Sequence, residues 1–374
     1  MPANNRIYYA SQAVLLQPQN ADGTELFDSG TSWYAPQGLQ SVGMTTNFSL
    51  QPVFQLGQLE LYENLENVPD VEVTLNKVLD GTPTLFAMCM CGPEGIDYAS
   101  GKELVDLVNN RVNFRLGIWS DTVTATTGDA THYVDCSGMY LSRFAYTFPI
   151  DANATEEITL VGNNKIWGTG TDNPMTMGEF DPSEGKSPTA PGIVRRYSLD
   201  YSSTGSVLPT GEAGIPIPSG RSLSRPYVQS VSISADLGRE AINELGAMSP
   251  YFRYVNFPLE VRSEFQVNAS DGDKVDADDF SKNTGCGQSY QNVKDKTVKI
   301  RVCAGTGEYQ GSLTLDLGNK NKLTSVNYTG GDTGGGNATI TYSFQTYNKF
   351  KMTSEGTYAS GQWVDNTADT DNYL

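Results

Sequence analysis

The sequence predicts a mainly β protein that contains two tandem β-barrel or β-sandwich modules, each with one short helix. The 38 glycines, 20 tyrosines and 14 phenylalanines favour strands and tight turns, and few stretches show the apolar i, i+3, i+4 spacing of helices. One long word also occurs twice: residues 153–166 (NATEEITLVGNNKI) align without a gap with residues 337–350 (NATITYSFQTYNKF). The offset between the two copies is 337 − 153 = 184 residues.

Three shorter matches accompany this repeat and follow the same order along the chain. They are Leu56-Gly57 with Leu237-Gly238 at an offset of 181, Glu72-Val73 with Glu260-Val261 at 188, and Val112-x-x-Arg115 with Val298-x-x-Arg301 at 186. Small loop insertions produce such a drift in offset, and chance matching of short strand words is the alternative explanation. A tandem duplication favours symmetric assembly over a single active site.

The predicted modules are flanked and separated by less regular segments. Residues 1–39 form an N-terminal arm with one or two short strands, which is compatible with packing on its own module or on a neighbouring subunit. The first module covers residues 40–167 and the second residues 228–352. Residues 168–227 contain eight prolines and form a predicted connection or insertion, with a strand near residues 193–199. Residues 353–374 form a polar, acidic and loose C-terminal tail.

Strands and one helix are predicted in each module. Residues 71–75 alternate between apolar and polar side chains, which is the period of a half-buried strand. In the first module a helix is predicted over residues 100–108, with Ser100 as N-cap and Glu103 as its capping-box partner. In the second module a helix is predicted over residues 237–246, ended by Gly246.

The charge balance argues against a protein that grips nucleic acid. Formal net charge is −18, from 43 acidic and 25 basic residues, whereas binding to a phosphate backbone requires clustered Lys and Arg. No stretch approaches 18 apolar residues, so no membrane span is expected. The opening residues also lack the pattern of a signal peptide, which predicts synthesis in a cytoplasm.

Catalytic, cofactor and metal motifs are not found in the sequence. His132 is the only histidine, and no nucleotide-binding glycine motif follows a strand. The five cysteines have no repeated spacing, and Cys89 and Cys91 lie in an apolar run that predicts buried free thiols. The acidic residues 271–279 do not follow the EF-hand order. The sequence therefore predicts a protein that is not an enzyme and has no cofactor, while a glycosidase-type carboxylate pair stays open.

Two segments resemble bacteriophage tail tube proteins, the virion structural proteins of myophages and cyanophages. They are residues 59–85 (LELYENLENVPDVEVTLNKVLDGTPTL) and residues 232–261 (SISADLGREAINELGAMSPYFRYVNFPLEV), and the opening NNRIYYASQAV is also similar to virion proteins. The resemblance covers less than half of the chain. It implies tail-tube-like β modules whose sheet edges join around a ring, and rings that stack into a hollow tube carrying DNA.

The resemblance also implies the partners and the location. Single-module members form hexameric rings, so a duplicated chain reaches pseudo-sixfold symmetry with three copies, and three or six chains per ring both stay open here. The expected partners are other copies, other tail proteins with a sheath as a further candidate, and double-stranded DNA that passes without specific binding. The expected location is the virion tail, after synthesis in the host bacterial cytoplasm.

Two sets of residues are candidates for the functional surface. The candidate assembly or packing positions, which recur in both modules, are Leu56, Gly57, Leu237 and Gly238. The candidate acidic face of the lumen, for which a plain solvated face is the alternative, comprises Glu60, Glu63 and Glu66. The predicted function is a structural subunit of a tail tube. The rivals are another virion protein (neck, baseplate hub or capsid decoration) and a carbohydrate-binding or carbohydrate-cleaving β-sandwich protein.

Overall fold

The computed structural model describes residues 7, 11–19, 33–92, 99–120, 130–169, 192–211, 214–217, 226–247, 249–270, 272–273, 275, 295–304, 311–331, 336–355 and 363–364. These residues include twenty strands and two short helices. In chain order the strands are β1 (Gln12–Gln19), β2 (Trp33–Tyr34), β3 (Leu39–Asn47), β4 (Leu50–Phe54), β5 (Leu61–Glu66), β6 (Asp70–Val78), β7 (Arg111–Ile118), β8 (His132–Pro149), β9 (Thr155–Gly162), β10 (Ile166–Thr169), β11 (Val228–Asp236), β12 (Arg239–Ile242), β13 (Phe252–Val255), β14 (Glu260–Asn268), β15 (Lys299–Ala304), β16 (Gly311–Asp316), β17 (Lys322–Thr329), β18 (Thr339–Tyr347), β19 (Lys351–Glu355) and β20 (Trp363–Val364). Helices α1 (Leu85–Met90) and α2 (Leu104–Leu107) lie between β6 and β7.

The long strand β8, with 18 residues, belongs to two sheet regions at once. Along one edge it pairs first with β10 and then with β9. Along its other edge it pairs first with β7 and then with β11. The first half of β8 therefore lies in the order β20-β2-β1-β7-β8-β10, and its second half lies in the order β3-β6-β9-β8-β11-β14-β18-β17.

The predicted mainly β class is confirmed, with antiparallel sheets throughout the strand pairs described above. None of the described sheets closes into a barrel within one chain. The second sheet region instead forms an open eight-stranded sheet. Strand β1 of the predicted N-terminal arm pairs with β7 of its own chain over all eight of its residues. This described part of the arm therefore belongs to the sheet of the chain that carries it.

One buried cluster joins the eight-stranded sheet to the elements that cover it. Phe144 from β8 and Phe344 from β18 belong to the same cluster as Phe86 from α1 and Leu315 from the separate β15-β16-β19 sheet. Phe350 bridges these parts, because its ring lies 4.6 Å from that of Phe144 and 5.4 Å from that of Phe86. The eight-stranded sheet therefore has one face turned to the core and one face left uncovered by this layer.

Helix α1 was not predicted, and its apolar residues are buried on all sides. The Thr84 hydroxyl accepts a hydrogen bond from Ala87 N, and the Glu156 carboxylate accepts bonds from Leu85 N (2.7 Å) and Phe86 N (2.9 Å). These acceptors satisfy N–H groups that a helix start leaves without partners. The prediction of buried free thiols in this run is confirmed for Cys89 and Cys91.

The predicted helix over residues 100–108 is present only as the four residues of α2. Its N-cap residue is Glu103, which makes no side-chain capping bond, so the predicted capping box is wrong. Ser100 serves another purpose, since its hydroxyl oxygen accepts a hydrogen bond from Ser354 N (2.9 Å). This bond ties the segment to β19 on the neighbouring sheet.

The predicted helix over residues 237–246 is wrong. Residues 239–242 are strand β12, which pairs with β13 in a two-stranded hairpin, and Gly246 lies in the connecting turn with φ +96°. The expectation of one helix per module therefore fails in the described part of the second module. Cross-strand hydrogen bonds and the aromatic partner strand outweigh the helix propensity of this segment.

The predicted connection is ordered in part. Residues 192–211 contain no named strand, and the strand predicted near residues 193–199 is reduced to an isolated bridge between Leu199 and Val302. A second bridge joins Val207 to Lys299, so this segment lies along β15. Residues 170–191 and most of the predicted tail lie outside the described residues.

Candidate functional site

The eight-stranded sheet consists of two groups of four strands in the same order. We call β3-β6-β9-β8 the first group and β11-β14-β18-β17 the second group. In each group two further strands separate the first strand from the second in the chain, and the fourth position is held by the strand that precedes the third. The last strand of the first group, β8, pairs with the first strand of the second group, β11. We call this contact the internal junction.

Strand registers repeat between the two groups. Leu75 pairs with Ile158 in the first group, and Phe265 pairs with Tyr342 in the second. The offsets are 265 − 75 = 190 for β6 and β14, and 342 − 158 = 184 for β9 and β18. The second value equals the offset of the long repeated word, so that sequence match coincides with equivalent places in the sheet.

The irregular points in strand pairing repeat as well. A register shift occurs between the first and second strands of each group, and another between the third and fourth. The four shifts lie at Leu39/Ser41 and Val228/Ser230, at an offset of 189, and at Leu141/Arg143 and Leu323/Ser325, at an offset of 182. Bulges change which face a side chain takes, so matching bulges indicate one shared backbone plan.

A hairpin connects the first and second strands of each group. These are β4–β5 in the first group and β12–β13 in the second. Leu50 pairs with Glu66 and Arg239 pairs with Val255, and both residues of the pair are offset by 189 (239 − 50 and 255 − 66). The two hairpins therefore share one register over four pairs, and β4–β5 adds a fifth pair, Phe54–Leu61, after a register shift.

This register corrects two of the short sequence matches. Leu56-Gly57 corresponds to Leu245-Gly246 at the offset of 189, and Gly57 and Gly246 both have positive φ, +88° and +96°. The predicted equivalence with Leu237-Gly238 is wrong, because Leu56 is fully exposed at a hairpin tip whereas Leu237 is buried before β12. The Glu72-Val73 match is displaced by two residues, since the offset of 190 pairs Glu72 with Arg262 rather than with Glu260.

The internal junction is a continuous part of the core. Tyr146 lies opposite Ile233, and Phe144 lies opposite Ala235. All four side chains are buried. Leu237 N also donates a hydrogen bond to Ser142 O (2.8 Å) beyond the end of the ladder. Burying an aliphatic or aromatic side chain of this size contributes about 1.5–3 kcal/mol, so the junction holds the two groups together strongly.

Hairpin β12–β13 lies over the first group beside this junction. Arg239 Nε donates to Leu141 O (2.8 Å), and a terminal nitrogen of the same guanidinium donates to Val108 O. The guanidinium carbon lies 5.0 Å from the ring centre of Tyr140, a cation–π contact. Burial lowers the pKa of Arg239 to about 10, which leaves the side chain charged at neutral pH.

Aromatic and ionic contacts hold the second strand of this hairpin. The rings of Phe252 and Tyr140 meet edge to face at 5.4 Å, and Arg253 forms an ion pair with Asp70. The Arg111 guanidinium lies over both rings, 5.1 Å from the centre of Tyr140 and 5.2 Å from that of Phe252. A cavity of about 380 Å³ lies beside these side chains. The hairpin of the second group thus closes over the first group.

The other ends of the two groups, β3 and β17, are open edges. Among the described strands, β3 pairs only with β6 and β17 only with β18. Strand β3 contains no proline and no charged residue, and the one charged residue of β17 is Lys322 at its start. Charges, prolines and short edges are the usual means by which proteins block unwanted strand pairing, and these two edges have few of them.

Side chains that continue the core-facing rows at the open edges are incompletely covered. The offsets of 189 and 182 relate Met44 on β3 to Ile233, and Tyr328 on β17 to Tyr146. Ile233 and Tyr146 are fully buried at the internal junction, whereas Met44 is half-buried and Tyr328 is 52% exposed. Each open edge therefore exposes the apolar side chain that its equivalent strand buries at the internal junction.

Hairpin β4–β5 is bare, unlike its counterpart. All six residues of β5 are exposed, on both of its faces. The exposed apolar side chains on and next to this hairpin are Phe48, Leu50, Phe54, Leu56, Leu59, Leu61, Tyr62 and Leu65. Apolar side chains clustered in this way are characteristic of a surface that another protein covers.

The expected single acidic face of Glu60, Glu63 and Glu66 is not formed. All three are exposed on hairpin β4–β5, with Glu63 and Glu66 on β5 and Glu60 in the turn before it. Side chains alternate along a strand, so two residues three positions apart lie on opposite faces. The i, i+3, i+6 spacing would have aligned them only on a helix.

The uncovered face of the eight-stranded sheet is polar and acidic. Serine and threonine side chains dominate it, because strand alternation places Ser230, Ser232 and Ser234 of β11 opposite the core-facing row. Its charged side chains on the described strands are Asp70, Glu72, Glu157, Asp236, Glu260 and Glu264 against Arg143, Arg262 and Lys322. Sequence reasoning missed this face, because the charges are separated by long stretches of chain.

Two buried ion pairs lie away from these surfaces, one at the end of β6 and one between β7 and the first half of β8. Lys77 Nζ lies 2.7 Å from Asp80 Oδ1, and Arg115 binds both carboxylate oxygens of Asp135 at 2.6 and 2.8 Å. No three His, Cys, Asp or Glu side chains in the described ranges come together as a metal site. Most of residues 271–279, and Cys286, lie outside those ranges.

In the part of the chain that the structure describes, no helix has both the length and the apolar character needed to cross a membrane. No protein-family model matches this sequence. A comparison with curated proteins also gives no significant match. The open edges, the bare hairpin and the polar face are therefore interpreted from their own geometry.

Proposed function

We propose that this protein is a structural subunit of a phage tail tube, in which copies join edge to edge into rings and the rings stack around a lumen that conducts DNA. The observation that carries this proposal is the internal junction, where the last strand of one four-stranded group pairs with the first strand of an equivalent group. The same pairing repeated between copies uses β17 and β3, the two edges that have no partner strand within the described chain.

A contact of this kind is head-to-tail. Such contacts produce a closed ring where the rotation between neighbours closes, and an open filament where it does not. The resemblance of the sequence to tail tube proteins favours six four-stranded groups per ring, hence three chains. In this proposal, one tandem module is the first group with hairpin β4–β5, and the other is the second group with hairpin β12–β13.

The polar face suits the inside of such a ring. A continuous ring of these sheets would present hydroxyl groups together with the six carboxylates and the three basic side chains named above from each chain. Like charge keeps the phosphates of passing DNA from adhering to the wall. A single ring in a neck, baseplate hub or capsid decoration would use the same edges without stacking, and it is the second candidate function.

Negative-stain electron microscopy of the purified chain over a range of concentrations tests the proposal. Hollow tubes or stacked rings are expected, and their rotational symmetry distinguishes three chains per ring from six. Single rings at every concentration would favour the neck, hub or decoration role. A chain that remains monomeric at all concentrations, with or without preformed tail ends as nuclei, would contradict both.

A further inference from the structure

We propose that the internal junction is the template for the contact between copies, with β17 of one copy pairing antiparallel with β3 of the next in one defined register. This inference rests on the proposed function, because it names the partner and the pairing at the edges assigned there. It follows from positions within one chain, where an equivalent contact is already formed.

The register follows from two offsets. Residues of β8 map onto β17 by adding 182, and residues of β11 map onto β3 by subtracting 189. The observed pair Arg143–Asp236 therefore becomes Ser325–Asn47 between copies, because 143 + 182 = 325 and 236 − 189 = 47. In the same way, the pair Tyr146–Ile233 becomes Tyr328–Met44.

The side chains at these positions are suited to the contact. Met44 and Tyr328 would meet on the core-facing side and lose the exposure they have in the isolated chain. Asn47 and Ser325 would meet on the polar face, where neither carries a charge. A shift of one residue would place Tyr328 opposite Gly43 or Thr45 of the polar-face row, so the apolar rows of the two copies would no longer meet.

The hairpins provide a second and independent observation. Phe252 of hairpin β12–β13 packs against Tyr140 of the first group. The same offsets relate Phe252 to Glu63 (252 − 189) and Tyr140 to Lys322 (140 + 182). Between copies, an aromatic pair is thus replaced by a pair of opposite charges, Glu63 on one chain and Lys322 on the next.

The proposed contact between copies also explains why hairpin β4–β5 is exposed. Hairpin β12–β13 packs on the first group of its own chain, whereas no described group of four strands packs on β4–β5. Its cover would be the second group of a neighbouring copy. The apolar residues of β4–β5 would then lie near the equivalents of Leu141 and Asn163, which are Leu323 (141 + 182) and the half-exposed Tyr347 (163 + 184).

Cysteine pairs measure the register directly in the full-length chain. One variant carries Asn47→Cys with Ser325→Cys, and its matched control carries Asn47→Cys with Thr329→Cys, which the proposed register separates by four residues. Directly opposed strand residues have Cα atoms about 4.5–5.5 Å apart, within the range for disulfides, whereas a four-residue offset exceeds it. The unsubstituted chain under the same oxidant controls for its own cysteines.

We expect the paired variant to form covalent oligomers on non-reducing gels and the control to form few, with both variants folded by circular dichroism. Rings or tubes in which the control links as well as the paired variant would overturn the register and leave the proposed function standing. Cross-linking of the paired variant without any ring would support the register and contradict the tube. Monomers that never cross-link would contradict both.

Discussion

Tyr146 and Tyr328 occupy the same position in two equivalent strand groups, yet Tyr146 is fully buried and Tyr328 is 52% exposed. Tyr146 lies opposite Glu156 and Tyr328 opposite Ile340, and both pairs keep the offsets of 182 and 184. Strand β11 and the stacked ring of Phe350 cover Tyr146, whereas no described strand pairs with β17 on the open side of Tyr328. The exposed ring therefore indicates a missing neighbour rather than a distinct local fold.

Substitution Tyr328→Asp is expected to prevent association of copies without unfolding the chain. A charge at this edge position would be buried without a partner in the proposed contact, whereas exposed substitutions in the isolated chain change stability by about 0.5 kcal/mol or less. Sedimentation velocity and thermal unfolding measure the two effects. Tyr197→Asp, at an exposed site in residues 192–211, is the matched control. Normal assembly of folded Tyr328→Asp would argue against β17 as a contact edge.

Exchanging the charges of Glu63 and Lys322 tests the hairpin contact separately. Glu63→Lys alone brings two cations together between copies and is expected to weaken association several-fold. Adding Lys322→Glu restores opposite charges, so the double variant is expected to recover most of the loss. The Lys322→Glu chain also loses its ion pair with Asp295, and its own stability is the control. Equal association by all three variants would show that these residues do not meet.

Substitution Asp135→Ala is expected to destabilise the chain by about 3–5 kcal/mol, because it leaves the buried guanidinium of Arg115 without its ion-pair partner. Both side chains are almost fully buried, and Arg115 also stacks between Trp33 and Tyr133 at 5.0 and 5.1 Å. Chemical denaturation measures the loss. The double variant Arg115→Met, Asp135→Leu removes both charges and is expected to be less damaging. A larger loss in the double variant would mean that packing rather than charge dominates at this site.

The stability of the chain is expected to depend on the protonation of Glu156. Burial raises the pKa of this carboxyl above its ordinary value of 4.5, although bonds from Phe86 N and Tyr146 oppose the shift. The folded chain therefore holds the proton more tightly than the unfolded chain, and this contribution to stability declines as pH rises from about 4.5 through the folded pKa.

Denaturation of the native chain and of Glu156→Gln between about pH 4 and pH 8 measures this effect. The amide has no proton to lose, so the difference in unfolding free energy should shift in favour of the variant as pH rises. Glu157→Gln, one position along the same strand on the polar face, is the control. A difference that is constant over this range would contradict the raised pKa.

The strand pattern of this protein was predictable because side-chain alternation is local. Residues 71–75 and the repeated word at residues 153–166 lie in β6 and β9 as their periodicity indicates. The segment around Arg239 was not predictable in the same way. Its apolar residues have the spacing of a helix, but the segment pairs instead with β13, which starts thirteen residues after β12 starts (252 − 239). Helix α1 depends on Glu156, which is distant in sequence from Leu85.

The sequence predicted that the candidate site would consist of repeated surfaces, but it did not identify the equivalent residues. The duplication indicated that surfaces would recur. The matched dipeptides Leu56-Gly57 and Leu237-Gly238 were nevertheless not equivalent, because a match of two residues also occurs by chance. The true counterpart, Leu245-Gly246, follows from the hairpin register. The open edges themselves are a property of strand order, which depends on contacts between distant segments.

Strand β8 has a mechanical consequence. It shares one edge with β9 and β10 and divides its other edge between β7 and β11, so the N-terminal strands and both four-stranded groups are attached to one continuous backbone segment. A pull applied at β17 across the strands is transmitted through the ladders to β8 and from there through β9 and β6 to β3, and the hydrogen bonds of each ladder carry it together. A wall built from such chains would resist stretching around its circumference as a single band.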